Sequence, residues 1–157
     1  MINKIIVFGT LRQYNKQSYM YYLGAKYLKT IKINGIQIYN FANAYPVNKL
    51  EFTTKPLVAE LWQLKNPKND LKVLDEYEGV PFLYKRKLIK VGQNRAWFYL
   101  YNREITDEVK IESNDWLDKP IIPLYDEYDD FDEDDEDDEE DFEDFYKTWL
   151  TKNAKLL

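Results

Sequence analysis

Hydrophobic residues in this chain gather in short runs separated by glycine, proline and asparagine. Lys4-Ile5-Ile6-Val7-Phe8 predicts a buried strand over 4–8, because β-branched residues dominate the run and Gly9 closes it. Residues 15–23 carry Tyr19, Tyr22 and Leu23 and predict a short helix. Lys26–Ile33 and Ile36–Phe41 flank Asn34-Gly35, a pair that favours a two-residue hairpin turn. Ala44-Tyr45-Pro46 reads as a break. "PLVAELWQL", residues 56–64, predicts a strand with Glu60 embedded among apolar neighbours. Asn69 or Asp70 is a candidate cap for a helix over Leu71, Leu74 and Tyr77, stopped by Gly79 and Pro81. Leu83–Val91 and Ala96–Tyr101 alternate as strands do and are joined through Gly92-Gln93-Asn94.

Many short strands with two small helices predict an α+β fold: a small, curled mixed or antiparallel sheet with short helices at its rim. There is no long βαβ alternation, so a dinucleotide-binding fold is not expected, and no internal repeat is present. This pattern covers residues 1–120. An acidic, low-complexity linker follows over 121–144. Within it, "YDEYDDFDEDDEDDEEDFED" places sixteen acids in the twenty positions 125–144, which repel one another and bury too little to fold alone. Beyond it, Phe142, Phe145, Tyr146, Trp149 and Leu150 share one helical face. That predicts an amphipathic helix over 145–157, docking on its own body or on a partner.

Charge divides the chain in the same place. Residues 1–124 hold 19 Lys/Arg and 12 Asp/Glu, a charge of +7, whereas residues 125–157 hold 3 Lys and 16 Asp/Glu, a charge of −13. The net charge of −6 therefore belongs to the tail. With 157 residues, 45% hydrophobic and 17% aromatic, the chain can build one core. It has neither cysteine nor histidine, which excludes disulfides, Cys/His zinc sites, Ser-His-Asp triads and Cys-His dyads. Acid–base chemistry near neutral pH then falls to a carboxylate, lysine or tyrosine tuned by its surroundings. No run is long enough for a signal h-region or a membrane span, so a soluble, cytoplasmic protein is expected. The lysines of the body are scattered and the acidic run would compete with phosphates, so nucleic acid is not an expected partner. The acidic run lacks the glycine and spacing of a calcium loop, and no metal site is expected.

Four places carry candidate chemistry. Phe8-Gly9-Thr10-Leu11 ends a strand either in an ordinary turn or in a loop whose N–H groups hold an anion. Glu78 falls in the last turn of its predicted helix, where the helix dipole disfavours a carboxylate, beside Tyr77, Val80 and Phe82. Desolvation there would raise its pKa further, unless it is simply solvated at a frayed end. Glu60 is either a buried support or the outward residue of an edge strand. Tyr84 and Arg86 share one strand face and meet a ligand or each other.

Taken together, these segments resemble the γ-glutamylcyclotransferase-like superfamily. "VFGTLR" is similar to its Tyr-Gly-Thr-Leu signature, and "NAYPV" with "LVAELWQL" to its Tyr-Pro turn and Val-x-Gly-Glu-Leu/Val-Tyr strand. "LDEYEGVPFLYKRKLIKV" is similar to its Leu-Asp-x-x-Glu-Gly…Tyr-x-Arg segment. "RAWFYLYN" and "IESNDWL" resemble the later strand and the Asp/Asn-Trp ending of the bacterial γ-glutamylamine cyclotransferase-like branch. The motifs run in the right order over about residues 4–118. Phe8 stands where the family usually has tyrosine, Ala59 and Asn114 where it has glycine, and the family's Asn-His after the first loop is missing.

The resemblance implies a small mixed β-barrel with flanking helices and cleavage of γ-glutamyl amides without a cofactor. The substrate's α-amine attacks its own side-chain carbonyl, closing 5-oxoproline and expelling an amine. It further implies that Glu78 is the acid/base, that the loop Phe8, Gly9, Thr10 and Leu11 binds substrate through its backbone N–H groups, and that Tyr84 is a pocket wall. The alternative is a binding or regulatory protein that keeps the fold without the reaction, its acidic tail engaging basic proteins or mimicking nucleic acid.

Overall fold

The computed structural model describes residues 1–121. The predicted helix over 145–157 and nearly all of the acidic linker lie outside those residues.

The fold is built around β1 (Lys4–Val7). Ile5 and Ile6 are fully buried, as expected of a run apolar on both faces, and the strand has a partner on each edge. On one edge lies β5 (Leu57–Gln63), antiparallel, with Val7 opposite Glu60. On the other lies β7 (Asn94–Tyr101), parallel, with Ile6 opposite Phe98. With β2 (Lys26–Ile33) beside β5 and β6 (Tyr84–Val91) beside β7, the order is β2-β5-β1-β7-β6. Gly92 makes the β6–β7 turn at φ 61, the positive φ that a two-residue hairpin needs at its first central position.

A second sheet has the order β4-β3-β8, from β3 (Ile36–Phe41), β4 (Tyr45–Leu50) and the short β8 (Val109–Lys110). Asn34-Gly35 does turn the chain, but β2 and β3 do not pair. Ile36, Gln37, Ile38 and Asn40 are all buried, so β3 is the middle of its own layer and not a return strand on β2. The expected break at 44–46 is the start of β4. Its proline is tolerated because β4 is an edge strand, and the turn lies instead at Ala42 and Asn43, both with positive φ. The fold is mixed α+β as expected, but its two sheets stay open and no closed barrel forms.

Two helices complete the described body. The predicted helix over 15–23 is trimmed to a single turn, α1 (Tyr19–Tyr22). The other, α2 (Pro67–Tyr77), begins earlier than its predicted cap, at Asn66 with Pro67 in the first turn. Asp70 lies inside the helix, its carboxylate accepting the Asn66 N–H at 2.8 Å.

Buried asparagines tie the sheets together. Asn48 of β4 donates to the Tyr99 carbonyl at 2.8 Å and accepts from the Tyr101 N–H at 2.9 Å. Asn114, fully buried, accepts from the Ile38 N–H at 2.9 Å and donates to the carbonyls of Ile36 and Lys55 at 2.7 and 3.0 Å. Its own carbonyl accepts from Val58 N–H, so it joins β3 to the start of β5. It does this at φ 56, a backbone region open mainly to glycine and asparagine. Asn114→Ala should therefore cost about 3 kcal/mol or more, from orphaned buried groups plus left-handed strain. Asn114→Gly relieves the strain and should recover about 1 kcal/mol of that loss. Urea denaturation of the two variants checks this; equal losses would remove the conformational part of the account.

Candidate active site

The loop leaving β1 is shaped by two constraints. At Gly9 there is no room for a side chain: a Cβ would lie 2.4 and 2.5 Å from the ring carbons Cγ and Cδ of Pro46. The Gly9 carbonyl accepts the Arg12 N–H at 3.0 Å, closing a tight turn over 9–12. Arg12 then enters the protein and is only 4% exposed. Its Nε donates to Glu60 at 3.0 Å and its guanidinium also pairs with Asp115 at 2.8 Å. Glu60 further accepts from Gln13 N–H and from the Trp62 indole N–H, at 2.8 and 3.1 Å. Of the two readings of Glu60, the buried support is the observed one, on an interior strand. With the turn pinned in this way, no carbonyl or side chain among the described residues accepts from the N–H of Thr10 or Leu11.

Glu78 is placed by the end of α2. It is the C-cap, and Gly79 follows at φ 65. The Val80 N–H bonds back to the Asp75 carbonyl at 2.9 Å and the Gly79 N–H to the Glu76 carbonyl at 3.1 Å, a complete Schellman ending. One turn earlier, Asp75 accepts from the Tyr99 hydroxyl at 2.9 Å and pairs with Arg86 at 3.2 Å, which anchors the helix end to β6 and β7. The Tyr77 hydroxyl meets the Thr10 hydroxyl at 2.8 Å, linking the helix to the loop.

Between loop and helix end is a narrow hollow of about 320 Å³, counting the space open at its mouth. Phe8, Gly9, Thr10, Leu11, Tyr84 and Glu78, all six residues singled out from the sequence, line it. Phe8 packs on Phe98 with ring centroids 5.2 Å apart. Tyr84 donates its hydroxyl to the Pro46 carbonyl at 2.7 Å and stands as a fixed wall. Arg86, on the same strand, turns to Asp75 and stacks over Trp97 instead. Glu78 is half-buried and has no ion pair or hydrogen bond to its carboxylate among the described residues. Burial raises its pKa from 4.5 to about 8.

Sequence reasoning missed Tyr45, Pro46 and Tyr99, which also line the hollow, and the positioning pair Arg12 and Asp115. A signal for the burial of Arg12 existed, and it points to Glu60 and not to Asp115. Arg12 ends one apolar segment and Glu60 sits inside another, and opposite charges embedded in two apolar runs must find partners when those runs are buried. Tyr45 and Pro46 were hidden by the apparent break. Among the described residues no group of acidic side chains is arranged to hold a metal ion.

Comparison with known proteins gives a consistent picture. Residues 5–118 match the family model described as gamma-glutamyl cyclotransferase, AIG2-like. The gamma-glutamylcyclotransferase family protein YtfP of Escherichia coli strain K12 is 30% identical over 120 residues, covering 74% of this chain and 97% of that protein. The solution NMR structure of ytfP from Escherichia coli superposes with a TM-score of 0.59 over 73% of this chain and 96% of that one. The crystal structure of PH0828 from Pyrococcus horikoshii, 23% identical, shares the fold with a TM-score of 0.59 over 73% of this chain and 89% of its own. The glutamate, the glycine-bearing loop and the tyrosine wall thus sit on a scaffold of known kind, and the chain belongs to the gamma-glutamyl cyclotransferase, AIG2-like family.

Proposed function

We propose that this protein is a γ-glutamylamine cyclotransferase that converts a γ-glutamyl amide to 5-oxoproline and a free amine. The observation that supports it most is a single unpaired carboxylate, raised to about pKa 8, sharing one narrow hollow with the unbonded N–H groups of Thr10 and Leu11.

Nucleophile and electrophile belong to one substrate molecule, so the protein supplies orientation and proton transfer. The substrate's α-ammonium sits beside its own free carboxylate and titrates above the value of about 8 of a peptide amine, so a carboxylate raised to about 8 takes its proton at a small free-energy cost. The freed amine attacks the side-chain carbonyl carbon and closes a five-membered ring. Negative charge then develops on the carbonyl oxygen, where backbone N–H groups of the Gly9–Leu11 turn stabilise it. As the C–N bond of the amide breaks, Glu78 returns the proton to the leaving nitrogen, and the ring nitrogen passes its second proton to the departing amine, which leaves as an ammonium ion. Tyr84, held by Pro46, keeps the substrate chain extended against the opposite wall. The narrowness of the hollow suits an unbranched glutamyl chain and leaves the amine portion at the mouth.

Glu78→Gln should lower 5-oxoproline release from a panel of γ-glutamyl amides by about 100-fold or more while leaving the circular dichroism spectrum unchanged. Turnover by the native protein should rise with pH through about 8, as Glu78 ionises. No release by the native protein on the whole panel, or equal release by the variant, would overturn the reading.

A stability measurement tests the site without any substrate. The folded protein binds the Glu78 proton more tightly than the unfolded chain does. This group's contribution to stability is therefore full below about pH 4.5 and is lost as pH rises to about 8. The urea midpoint of the native protein should fall across that window relative to Glu78→Gln. Parallel pH profiles would show that the carboxylate is solvated.

A further inference from the structure

The candidate active site opens beside a group of exposed tyrosines that no step of the reaction uses. Thr10, which lines the hollow, meets the Tyr77 hydroxyl at 2.8 Å on the surface of the protein. The Tyr19 ring packs edge-on against Tyr77 with centroids 5.1 Å apart, and Tyr22 packs edge-on against Tyr19 at 6.4 Å. All three are exposed, Tyr22 to 84%. They form a row of rings whose first member touches the rim and is the chain neighbour of Glu78.

A contiguous aromatic patch marks a contact surface where scattered apolar residues do not. This patch is also held in place. The Asn15 side chain donates to the Thr10 carbonyl at 2.9 Å, the Ser18 N–H to the Asn15 carbonyl at 3.1 Å, and the Tyr21 hydroxyl to the Gln13 carbonyl at 2.7 Å. These bonds tie α1 to the loop after β1, so little freedom of the rings remains to be lost on contact. The neighbouring tyrosines are engaged elsewhere: the Tyr14 hydroxyl accepts the Trp116 indole N–H at 3.1 Å, and the Tyr21 ring packs on Trp62 at 5.5 Å.

Charge decides what the row suits. α1 contains no charged residue, and Glu78 is the one charged residue that lines the hollow. Asp75 is paired with Arg86, and Glu76 leaves the helix about 100° round from Tyr77. The Lys16 ammonium lies over Tyr21, outside the row. A cationic amine would meet rings here without a carboxylate to neutralise it. A neutral ring both packs on the tyrosines and leaves water, and gains more at such a surface than an ammonium that stays hydrated.

We propose that Tyr77, Tyr19 and Tyr22 form the subsite for the departing amine, and that this amine carries a neutral aromatic ring, as in a γ-glutamyl arylalkylamide. The inference rests on the cyclotransferase reading for the glutamyl half of the substrate and supplies the chemistry of the other half. With the amide nitrogen at Glu78, a short alkyl link carries the ring over the rim onto Tyr77.

Calorimetry on Glu78→Gln, which is expected to hold the glutamyl chain without cleaving it, reads the subsite apart from turnover. The γ-glutamyl phenethylamide should bind about tenfold more tightly than the butylamide or the cationic aminobutyl amide. Adding Y19A/Y22A should bring both ratios to about one. Tyr22→Ala alone, at a side chain too exposed to unfold the body, should lower them about threefold. No binding, equal binding of the three amides, tighter binding of the cationic one, or a ring preference that survives Y19A/Y22A would each overturn the subsite, whatever the native protein turns over. So would a dimer in sedimentation that Y19A/Y22A dissolves, which would name a second copy as the occupant. Ring-selective binding with no 5-oxoproline released by the native protein would remove the reaction and leave the subsite standing.

Discussion

A guanidinium buried between two carboxylates fixes the geometry of the whole candidate site. Arg12, Glu60 and Asp115 come from the first loop, the middle of β5 and the approach to the 3-10 turn over Trp116–Asp118. Removing such groups from water is costly, and the cost is recovered only if nearly every donor and acceptor is satisfied. Here Glu60 takes bonds from Arg12, Gln13 and Trp62, while Asp115 also caps the 3-10 turn through Leu117 N–H. Any other path for the loop would strand one of these charges. The turn over 9–12 is therefore dictated by charges that lie outside the hollow, and the N–H groups of Thr10 and Leu11 are left without acceptors as a result.

The same logic separates two glutamates that share a side chain and little else. Glu60 is surrounded by donors and paired with a guanidinium. Glu78 has burial without donors, and its proton is held to about pH 8. Each is suited to a different task by what surrounds it: one to holding a fold, the other to exchanging a proton. The asymmetry needs neither histidine nor cysteine, which fits a chain that contains neither.

Local chemistry was legible in the sequence where it depended on near neighbours. β2 and β3 have the bounds their hydrophobic runs indicate, and Gly79 ends α2 one residue after Glu78 because a left-handed residue is needed there. All six residues singled out for the site line one hollow, since a strand-end glycine loop and a helix-end acid are both local patterns. Pairing was not legible. Asn34-Gly35 looks the same whether its strands join or part, and the partners of β3 lie at residues 45–50 and 109–110, far from that turn. β4 was missed because Ala44-Tyr45-Pro46 reads as a break, and the polar Asn48 and Lys49 that follow do nothing to offset that reading. Asn48 is in fact buried, serving two backbone groups of β7 that no local reading connects to it.

The Schellman ending of α2 makes the helix a ruler. Its first turn is fixed at Asn66 and Pro67, its last at Gly79, and the acid stands at the final graduation. Dropping one residue between them would swing the carboxylate by about 100° and retract it about 1.5 Å, out of the hollow. Substitutions along the walls change the shape of the hollow and leave the acid in place, whereas a change in the count of residues from 67 to 77 moves it. Helix length is thus as much a part of the geometry of the hollow as any side chain that lines it.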